Sequence, residues 1–279
     1  MTATAAGTGA AAEWKRYYGF TRTPFSKSIA PSQVFAHPGH LEAAARIRYT
    51  IDEQTIGLVT GDVGAGKTVA ARAAVAALDQ SQHTIIYVSN PGVGARGLHQ
   101  QISLALGVAP RFHRGTLIAQ TADLLTRERD ERDKHTVLVI DEGHLLDADQ
   151  LEQIRLITNS AMDADSVLAV VLLGQPALRR VIRRGPYTAL DQRIATRYHL
   201  QPLTSPQTAG YIRHHLAIAG RSDPLFADDA VAAIGHAARG LPRQIGNLAV
   251  AALIAGYTRR NTIIDHDCAT AAIADALTD

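Results

Sequence analysis

The stretch of sequence that decides the fold is the segment Gly61-Asp62-Val63-Gly64-Ala65-Gly66-Lys67-Thr68, followed by Val69. It matches the pattern G-x-x-x-x-G-K-[ST] at every fixed position. The apolar run Ile56–Thr60 precedes it, and an alanine-rich run that favours a helix follows it. A loop of this kind between a strand and a helix surrounds phosphate groups with backbone N–H groups. The segment from Gly61 to Val69 therefore predicts a nucleotide phosphate site.

Four polar side chains are expected to do the chemistry at this site. Lys67 should reach the β- and γ-phosphates of ATP, and the hydroxyl of Thr68 should bind Mg²⁺. A second segment, 137–142, has four apolar residues followed by two acids, as a buried strand that ends in carboxylates does. Asp141 is expected to hold the Mg²⁺ shell, and Glu142 to orient and polarise the attacking water.

A fifth candidate is Gln175, which follows another apolar run and Gly174. Its amide can hydrogen-bond the γ-phosphate or the attacking water. The alternative is a turn residue that merely precedes Pro176.

Short apolar runs alternate with helical stretches from about residue 40 to 200. The strand candidates are Ile56–Thr60, Thr84–Ser89, Thr136–Ile140, Val167–Leu173 and Tyr198–Gln201. This alternation predicts an α/β fold, with a parallel five-stranded sheet flanked by helices. Beyond Pro202 the pattern is helical. We expect three parts: a disordered tail at 1–12, a nucleotide-binding α/β domain at 13–202 and a small all-helical lid domain at 203–279.

Composition excludes several classes of protein. The formal net charge is only +2, so any nucleic-acid site must rest on local clusters of cations. Cys268 is the single cysteine, which excludes an internal disulfide and suits a reducing cytoplasm. The longest apolar runs, Val167–Leu173 and Leu248–Ala255, are far shorter than the roughly 20 residues of a membrane helix. No membrane partner is expected.

The sequence resembles the AAA+ ATPases, and within them the general secretion pathway protein A-like group. That group is related to the transposition helper ATPases of the TniB, IstB, MuB and TnsC kind. Apart from the phosphate loop, four segments carry the resemblance: Tyr17-Tyr18-Gly19-Phe20 with Pro24-Phe25-Ser26, Asp141-Glu142-Gly143-His144-Leu145-Leu146, Leu172-Leu173-Gly174-Gln175-Pro176 with Leu178, and Gly240-Leu241-Pro242-Arg243.

The resemblance implies two further roles for arginine side chains. Arg193 lies where such proteins carry an arginine finger that reaches the ATP of a neighbouring subunit, and Arg197 is the second choice for it. A surface salt bridge is the alternative for either residue. Arg243 is expected to sense the γ-phosphate from the lid. ATP would then bridge two subunits, so the resemblance implies a homo-oligomer, either a ring or a helical filament.

DNA contact is expected from a loop, because in the related transposition ATPases the corresponding loop and helix start line the pore of a filament. The candidates are Arg96, Arg111, Arg114 and Thr116. The alternative is that this segment is an ordinary solvated loop with no ligand. Contact would be with the DNA backbone and independent of sequence. Two other cationic clusters are Arg179, Arg180, Arg183 and Arg184 on a helix, and Lys15, Arg16 and Arg22 beside Trp14 and Tyr17.

We therefore expect an ATP-dependent DNA-binding ATPase that oligomerises on DNA and helps to select targets for a partner transposase. Two alternatives remain open. One is an assembly ATPase of a secretion or envelope complex that acts on protein partners, and the other is a signalling ATPase switch. Asp141-Glu142-Gly143-His144 also resembles a helicase motif, but such a helicase needs two cores and this chain has room for one.

Overall fold

The computed structural model describes three stretches of the chain, 13–26, 28–159 and 166–277. They fall into two units. The α/β unit comprises Pro38–Asp62 and Lys67–Leu200. The helical unit comprises the described residues up to His37, the short segment Val63–Gly66, and the described chain from Gln201 onward. The tail expected at 1–12 lies outside the described residues.

Five parallel strands form the sheet of the α/β unit, in the order β2-β3-β4-β1-β5. Their bounds are β1 Ile56–Gly61, β2 His83–Val88, β3 His135–Ile140, β4 Leu168–Gly174 and β5 Ile194–Leu200. Every residue of β1 and of β4 is buried. Such continuous burial is typical of strands with helices on both faces, and it confirms the parallel five-stranded sheet expected from the sequence.

Helices cover both faces of this sheet. They are α1 Pro38–Asp52, α2 Lys67–Ala76, α3 Gly94–Ala105, α4 Arg114–Asp130, α5 Ala148–Ile157, α6 Pro176–Ile182 and α7 Thr188–Arg193. Leu138 and Leu172 belong to the core cluster that α3 to α6 contribute to, and Val139 and Val171 to the cluster that α1 and α2 contribute to. Successive strand residues point to opposite faces, so the apolar runs fill two cores at once.

The last strand differs from its expected position. We expected Tyr198–Gln201, but β5 runs from Ile194 to Leu200. The short helix α7 directly precedes this strand and was not predicted. The reason is that β5 is an edge strand with half-buried polar residues, and such a strand shows no apolar run in the sequence.

The helical unit is built from four helices that follow the sheet in sequence. Their bounds are α8 Ser205–Ile218, α9 Asp228–Ala237, α10 Pro242–Thr258 and α11 His266–Leu277. Thr204 begins α8 with a capping box, in which the Gln207 side chain accepts from the Thr204 backbone N–H at 2.9 Å. None of the helices among the described residues has the length and apolar character needed to span a bilayer.

The N-terminal segment belongs to the helical unit, which corrects the expected boundary at 13–202. Trp14, Tyr18 and Phe20 are buried in the core of that unit. The Thr21 backbone N–H donates to the Ala219 carbonyl at 2.9 Å. The free energy of burying three aromatic rings decides this arrangement. Trp14 is therefore a core residue and not part of an exposed cluster with Lys15 and Arg16, whereas the Tyr17 ring is only partly buried.

His215 on α8 is a strongly perturbed titratable group that packs against the aromatic rings of this unit. Its ring lies 5.1 Å from the Phe25 ring and 4.4 Å from the Tyr211 ring, between centroids. Its Nδ1 atom is buried with no hydrogen-bond partner among the described residues. Burial, and secondarily the charge of His214, lowers the pKa of His215 to about 4. The neutral imidazole is thus the form that fits the folded chain.

This burial predicts a pH-dependent stability of the helical unit. The unfolded chain binds a proton at the ordinary histidine pKa, near 6.5, whereas the folded chain does so only near pH 4. The contribution of neutral His215 to the free energy of unfolding should therefore be at its maximum above about pH 6.5. It should fall by on the order of 3 kcal/mol toward pH 4. Urea denaturation at pH 7, 5.5 and 4 measures this loss. His215→Phe should flatten the pH profile, and His236→Gln at an exposed position should leave it unchanged.

Candidate nucleotide-binding site

The ends of three neighbouring strands define the site. Strand β1 pairs with β4 so that Thr60 lies beside Gly174, and β4 pairs with β3 so that Leu172 lies beside Ile140. Parallel strands end at the same edge of the sheet, so the segments that follow them converge there. These segments are the phosphate loop after β1, the acid pair after β3 and Gln175 after β4.

The phosphate loop has the backbone conformation that its glycines predict. Gly64 and Gly66 have φ values of +83° and +102°, which turn the backbone N–H groups toward the inside of the loop. Lys67 is the first residue of α2 and is only 7% exposed. Its ammonium group donates to the carbonyl oxygens of Gly61 and Asp62, both at 2.9 Å. The cation therefore lies within the curve of the loop, ready for an anionic ligand.

The tip of the loop, Val63–Gly66, groups with the helical unit. Arg243 donates its backbone N–H to the Gly64 carbonyl oxygen at 3.3 Å. A Cβ added at Gly64 would lie 2.9 Å from the Cβ of Arg243. Glycine is therefore required at this position by both its positive φ and the close approach. The backbone of Arg243 contacts the loop, while a sensing role for its side chain stays a prediction.

Three donors converge on the carboxylate of Asp141, which is buried. The Thr68 hydroxyl donates to Oδ2 at 2.6 Å, and the Tyr87 hydroxyl donates to the same oxygen at 3.0 Å. The Glu142 backbone N–H donates to Oδ1 at 2.9 Å. Sequence reasoning missed Tyr87; the signal available was a tyrosine among the aliphatic residues at the end of strand β2. Burial, and then Asp141, raises the pKa of Tyr87 to about 12, which keeps it a donor at neutral pH.

The Thr68–Asp141 pair has the chemistry that Mg²⁺ requires. Magnesium ions take oxygen ligands, usually one or two protein groups completed by phosphates and water. A hydroxyl and a carboxylate oxygen 2.6 Å apart at the rim of a phosphate loop match that preference. The expected metal residues therefore lie together, as the two sequence segments predicted.

Glu142 lies at the same edge and is part of a short polar chain. It has φ +50°, in the left-handed region, and its side chain is 48% exposed. His144 Nδ1 lies 3.4 Å from Glu142 Oε2. The Gln175 amide nitrogen lies 3.0 Å from His144 Nε2 and can donate to it. The structure thus brings Gln175 and Glu142 together through a histidine that the sequence did not assign to the site.

The two candidate finger arginines do not lie beside the phosphate loop of their own chain. Strand β5 begins at Ile194, which pairs with Ile56, and ends at Leu200, which pairs with Gly61. Arg193 therefore lies at the amino ends of these strands, whereas the phosphate loop lies at their carboxyl ends. The separation along the strands is about 16 Å. Its Nη1 donates to the Thr158 carbonyl at 3.5 Å.

Arg197 is engaged within its own unit. Its Nη2 atom lies 3.0 Å from Asp191 Oδ1, an ion pair, and its Nη1 donates to the Ile194 carbonyl at 2.9 Å. The guanidinium is about one-third exposed. This is the salt bridge named above as the alternative for Arg197.

The predicted DNA residues form one exposed face, which we call the Arg96–Phe112 face. Arg96 lies 5.2 Å from the centroid of the Phe112 ring, and Phe112 is 77% exposed. The Gln120 side chain accepts from the Arg111 backbone N–H at 2.9 Å, which fixes the loop before α4. In the part of the chain that the structure describes, no acid lies within ion-pair distance of Arg96 or Arg111.

The other two residues of this set already have partners. Arg114 forms an ion pair with Asp149 at 2.6 Å, and the Thr116 hydroxyl donates to the His113 carbonyl at 2.9 Å. They stabilise the start of α4 rather than offering open donors. The four arginines on and after α6 are all exposed: Arg179, Arg180, Arg183 and Arg184.

Comparison with known proteins gives two sequence matches. A family model described as AAA domain matches residues 49–182. Over 264 residues the chain is 32% identical to general secretion pathway protein A of Aeromonas hydrophila. That match covers 91% of this chain and 46% of the relative, so the chain spans about half the relative's length.

Solved structures share the fold. Cdc6p from Pyrobaculum aerophilum has a TM-score of 0.68 at 18% identity, over 86% of this chain and 67% of that one. The Aeropyrum pernix ORC1 protein, solved in complex with DNA, has a TM-score of 0.65 at 18% identity, over 88% of this chain and 67% of that one. With its phosphate loop, its parallel sheet and these matches, the chain contains an AAA domain of the P-loop NTPase fold and is similar to general secretion pathway protein A.

Proposed function

We propose that this AAA+ ATPase assembles with copies of itself on DNA in the presence of ATP and acts as a transposition helper for a partner transposase. The observation that carries the DNA part is the Arg96–Phe112 face, where Arg96 lies over the exposed Phe112 ring and where neither Arg96 nor Arg111 forms an ion pair with an acid among the described residues. We place this activity in the cytoplasm, where ATP and DNA are both available.

The nucleotide site supports hydrolysis through groups already in position. Lys67 and the inward backbone N–H groups would bind the phosphate oxygens, and Thr68 with Asp141 would hold Mg²⁺. Bound Mg²⁺ would supply charge neutralisation on the phosphates. Glu142, with its exposed carboxylate at the same edge, would orient a water molecule and take its proton as the water attacks the γ-phosphorus and the bond to ADP breaks.

Self-association follows from the position of Arg193. It lies about 16 Å of strand length from its own phosphate loop, too far to touch that nucleotide. If it neutralises charge during phosphoryl transfer, it must do so on the ATP of another copy. One copy would then supply Arg193 to the nucleotide site of the next copy. Such a head-to-tail interface closes into a ring or extends into a filament.

The Arg96–Phe112 face supports contact with the DNA backbone. Arginine guanidinium groups bind phosphate oxygens, and this contribution is independent of sequence and strongly dependent on salt. The loop carrying Arg111 and Phe112 is held by two hydrogen bonds between its backbone and the Gln120 side chain, so its backbone needs little ordering on binding. ATP-bound copies would coat DNA and recruit the transposase, and hydrolysis would release them.

A second candidate is an assembly ATPase of a secretion or envelope complex. The observation that favours it is the 32% identity to general secretion pathway protein A, although the chain spans 46% of that relative. This candidate shares the ATP chemistry and the self-association. It differs in the partner, which would be protein, so affinity for DNA separates the two.

The roles of Lys67 and Glu142 predict different defects. Lys67→Ala should abolish ATP binding because it removes the cation within the loop. Glu142→Gln should leave ATP binding intact but reduce turnover by about 10²- to 10⁴-fold, because the water loses its base. Fluorescent-nucleotide titration and phosphate release measure the two effects. Normal hydrolysis by Glu142→Gln would show that another group activates the water.

The DNA proposal predicts that affinity depends on nucleotide and on one face. Cosedimentation with duplex DNA should be strong with ATP and weak with ADP or no nucleotide. Replacing both Arg96 and Arg111 with alanine should weaken it about tenfold at moderate salt, because two phosphate contacts are lost. Arg127→Ala, at the far end of α4, is the matched control. Equal binding in all nucleotide states, or none at low salt, contradicts the proposal and favours a protein partner.

The position of Arg193 predicts complementation between two inactive variants. Arg193→Ala should bind ATP normally but hydrolyse it about 10³-fold more slowly. Glu142→Gln should also be inactive. An equal mixture should regain about a quarter of the wild-type rate, because random mixing joins an intact Glu142 site to an intact Arg193 at one interface in four. Arg197→Ala in the same mixture tests the second choice. A mixture as inactive as its components excludes a finger that acts between subunits.

A further inference from the structure

We infer that His144 is a positioning residue that holds the Glu142 carboxylate in place for the attacking water and links it to Gln175. The inference rests on the proposed role of Glu142. It adds His144 to the side chains that support hydrolysis, and it connects Gln175, the candidate contact to the γ-phosphate, with the proposed base Glu142.

The geometry around His144 supports this role. Its Nε2 is 3.0 Å from the Gln175 amide nitrogen, and its Nδ1 is 3.4 Å from Glu142 Oε2. One neutral tautomer serves both neighbours, because Nε2 accepts from the amide while the proton sits on Nδ1, facing the carboxylate. The Nδ1 contact is within ion-pair distance but lacks hydrogen-bond alignment, so the carboxylate is oriented rather than locked.

The backbone around His144 is fixed by close packing against the end of β4. A Cβ at Gly174 would lie 3.3 Å from the His144 backbone nitrogen and 2.7 Å from Leu178 Cδ2. A Cβ at Gly143 would lie 3.2 Å from the Leu173 carbonyl oxygen. Two glycines thus let the 3₁₀ turn Gly143–Leu145 lie directly on the strand end that carries Gln175. The imidazole is 18% exposed, so its position is set by the protein.

Glu142 is the residue that needs such support. Its side chain is 48% exposed, and its backbone has φ +50° in a tight turn. An exposed glutamate samples several rotamers, and the loss of geometry at a catalytic group lowers turnover. The polar chain through His144 restricts this sampling while leaving one face of the carboxylate open to water.

The test compares two substitutions at His144 with different hydrogen-bonding capacity. His144→Phe keeps the ring volume but cannot bond to either neighbour. His144→Gln has an amide that can accept from Gln175 and donate to Glu142. We expect His144→Phe to lower kcat by about 10- to 100-fold with KM and ATP-analogue affinity unchanged, and His144→Gln to retain most of the rate. Should His144→Phe lose nucleotide affinity, His144→Leu, which also lacks a hydrogen-bonding group, takes its place.

A double-mutant cycle distinguishes positioning from packing. If His144 acts between Gln175 and Glu142, combining His144→Phe with Gln175→Ala should lower kcat no further than the worse single substitution. Independent losses that multiply would overturn the inference, as would wild-type kcat in His144→Phe or a His144→Gln variant as slow as His144→Phe. Glu142→Gln is assayed in parallel: if it hydrolyses ATP normally, the proposed base is wrong, a result distinct from failure at His144 alone.

Discussion

The parallel register of three strands is the constraint on which the nucleotide site depends. Because β1, β4 and β3 are paired so that their ends coincide, the phosphate loop, Gln175 and the acid pair lie at one edge. A slip of one residue would turn every side chain to the opposite face. The strands are buried along most of their length, and that burial specifies the register. The same apolar residues that form the two cores therefore position the chemistry.

The sequence predicted the parts of the site that depend on local backbone geometry. The positive φ values of Gly64 and Gly66 and the turn into α2 follow from neighbouring residues, so a short motif suffices. Tyr87 could not be found this way, because its hydroxyl reaches a carboxylate 54 residues away through the pairing of β2 with β3. The contact between His144 and Gln175, 31 residues apart, has the same origin.

Two predictions about the fold were wrong because they were made from local sequence patterns alone. The N-terminal aromatics precede the phosphate loop, and we assigned them to the α/β domain, but they are buried in the core of the helical unit. Strand β5 was placed too late because an edge strand needs only partial burial and keeps polar residues such as Arg197. In both cases long-range burial of side chains, which no local pattern records, decided the outcome.

The separation of Arg193 from the phosphate loop, at opposite ends of the paired strands β1 and β5, has the main functional consequence. The carboxyl ends of the strands position the groups proposed to bind and attack the phosphates, and Arg193 lies at the amino end of β5. On the proposed function, a single copy is therefore incomplete, and turnover is coupled to assembly whether the partner is DNA or protein. The ATP chemistry cannot distinguish these partners. On the proposal, the Arg96–Phe112 face would distinguish them, because a net charge of +2 provides little long-range attraction and DNA contact would depend on that local cluster.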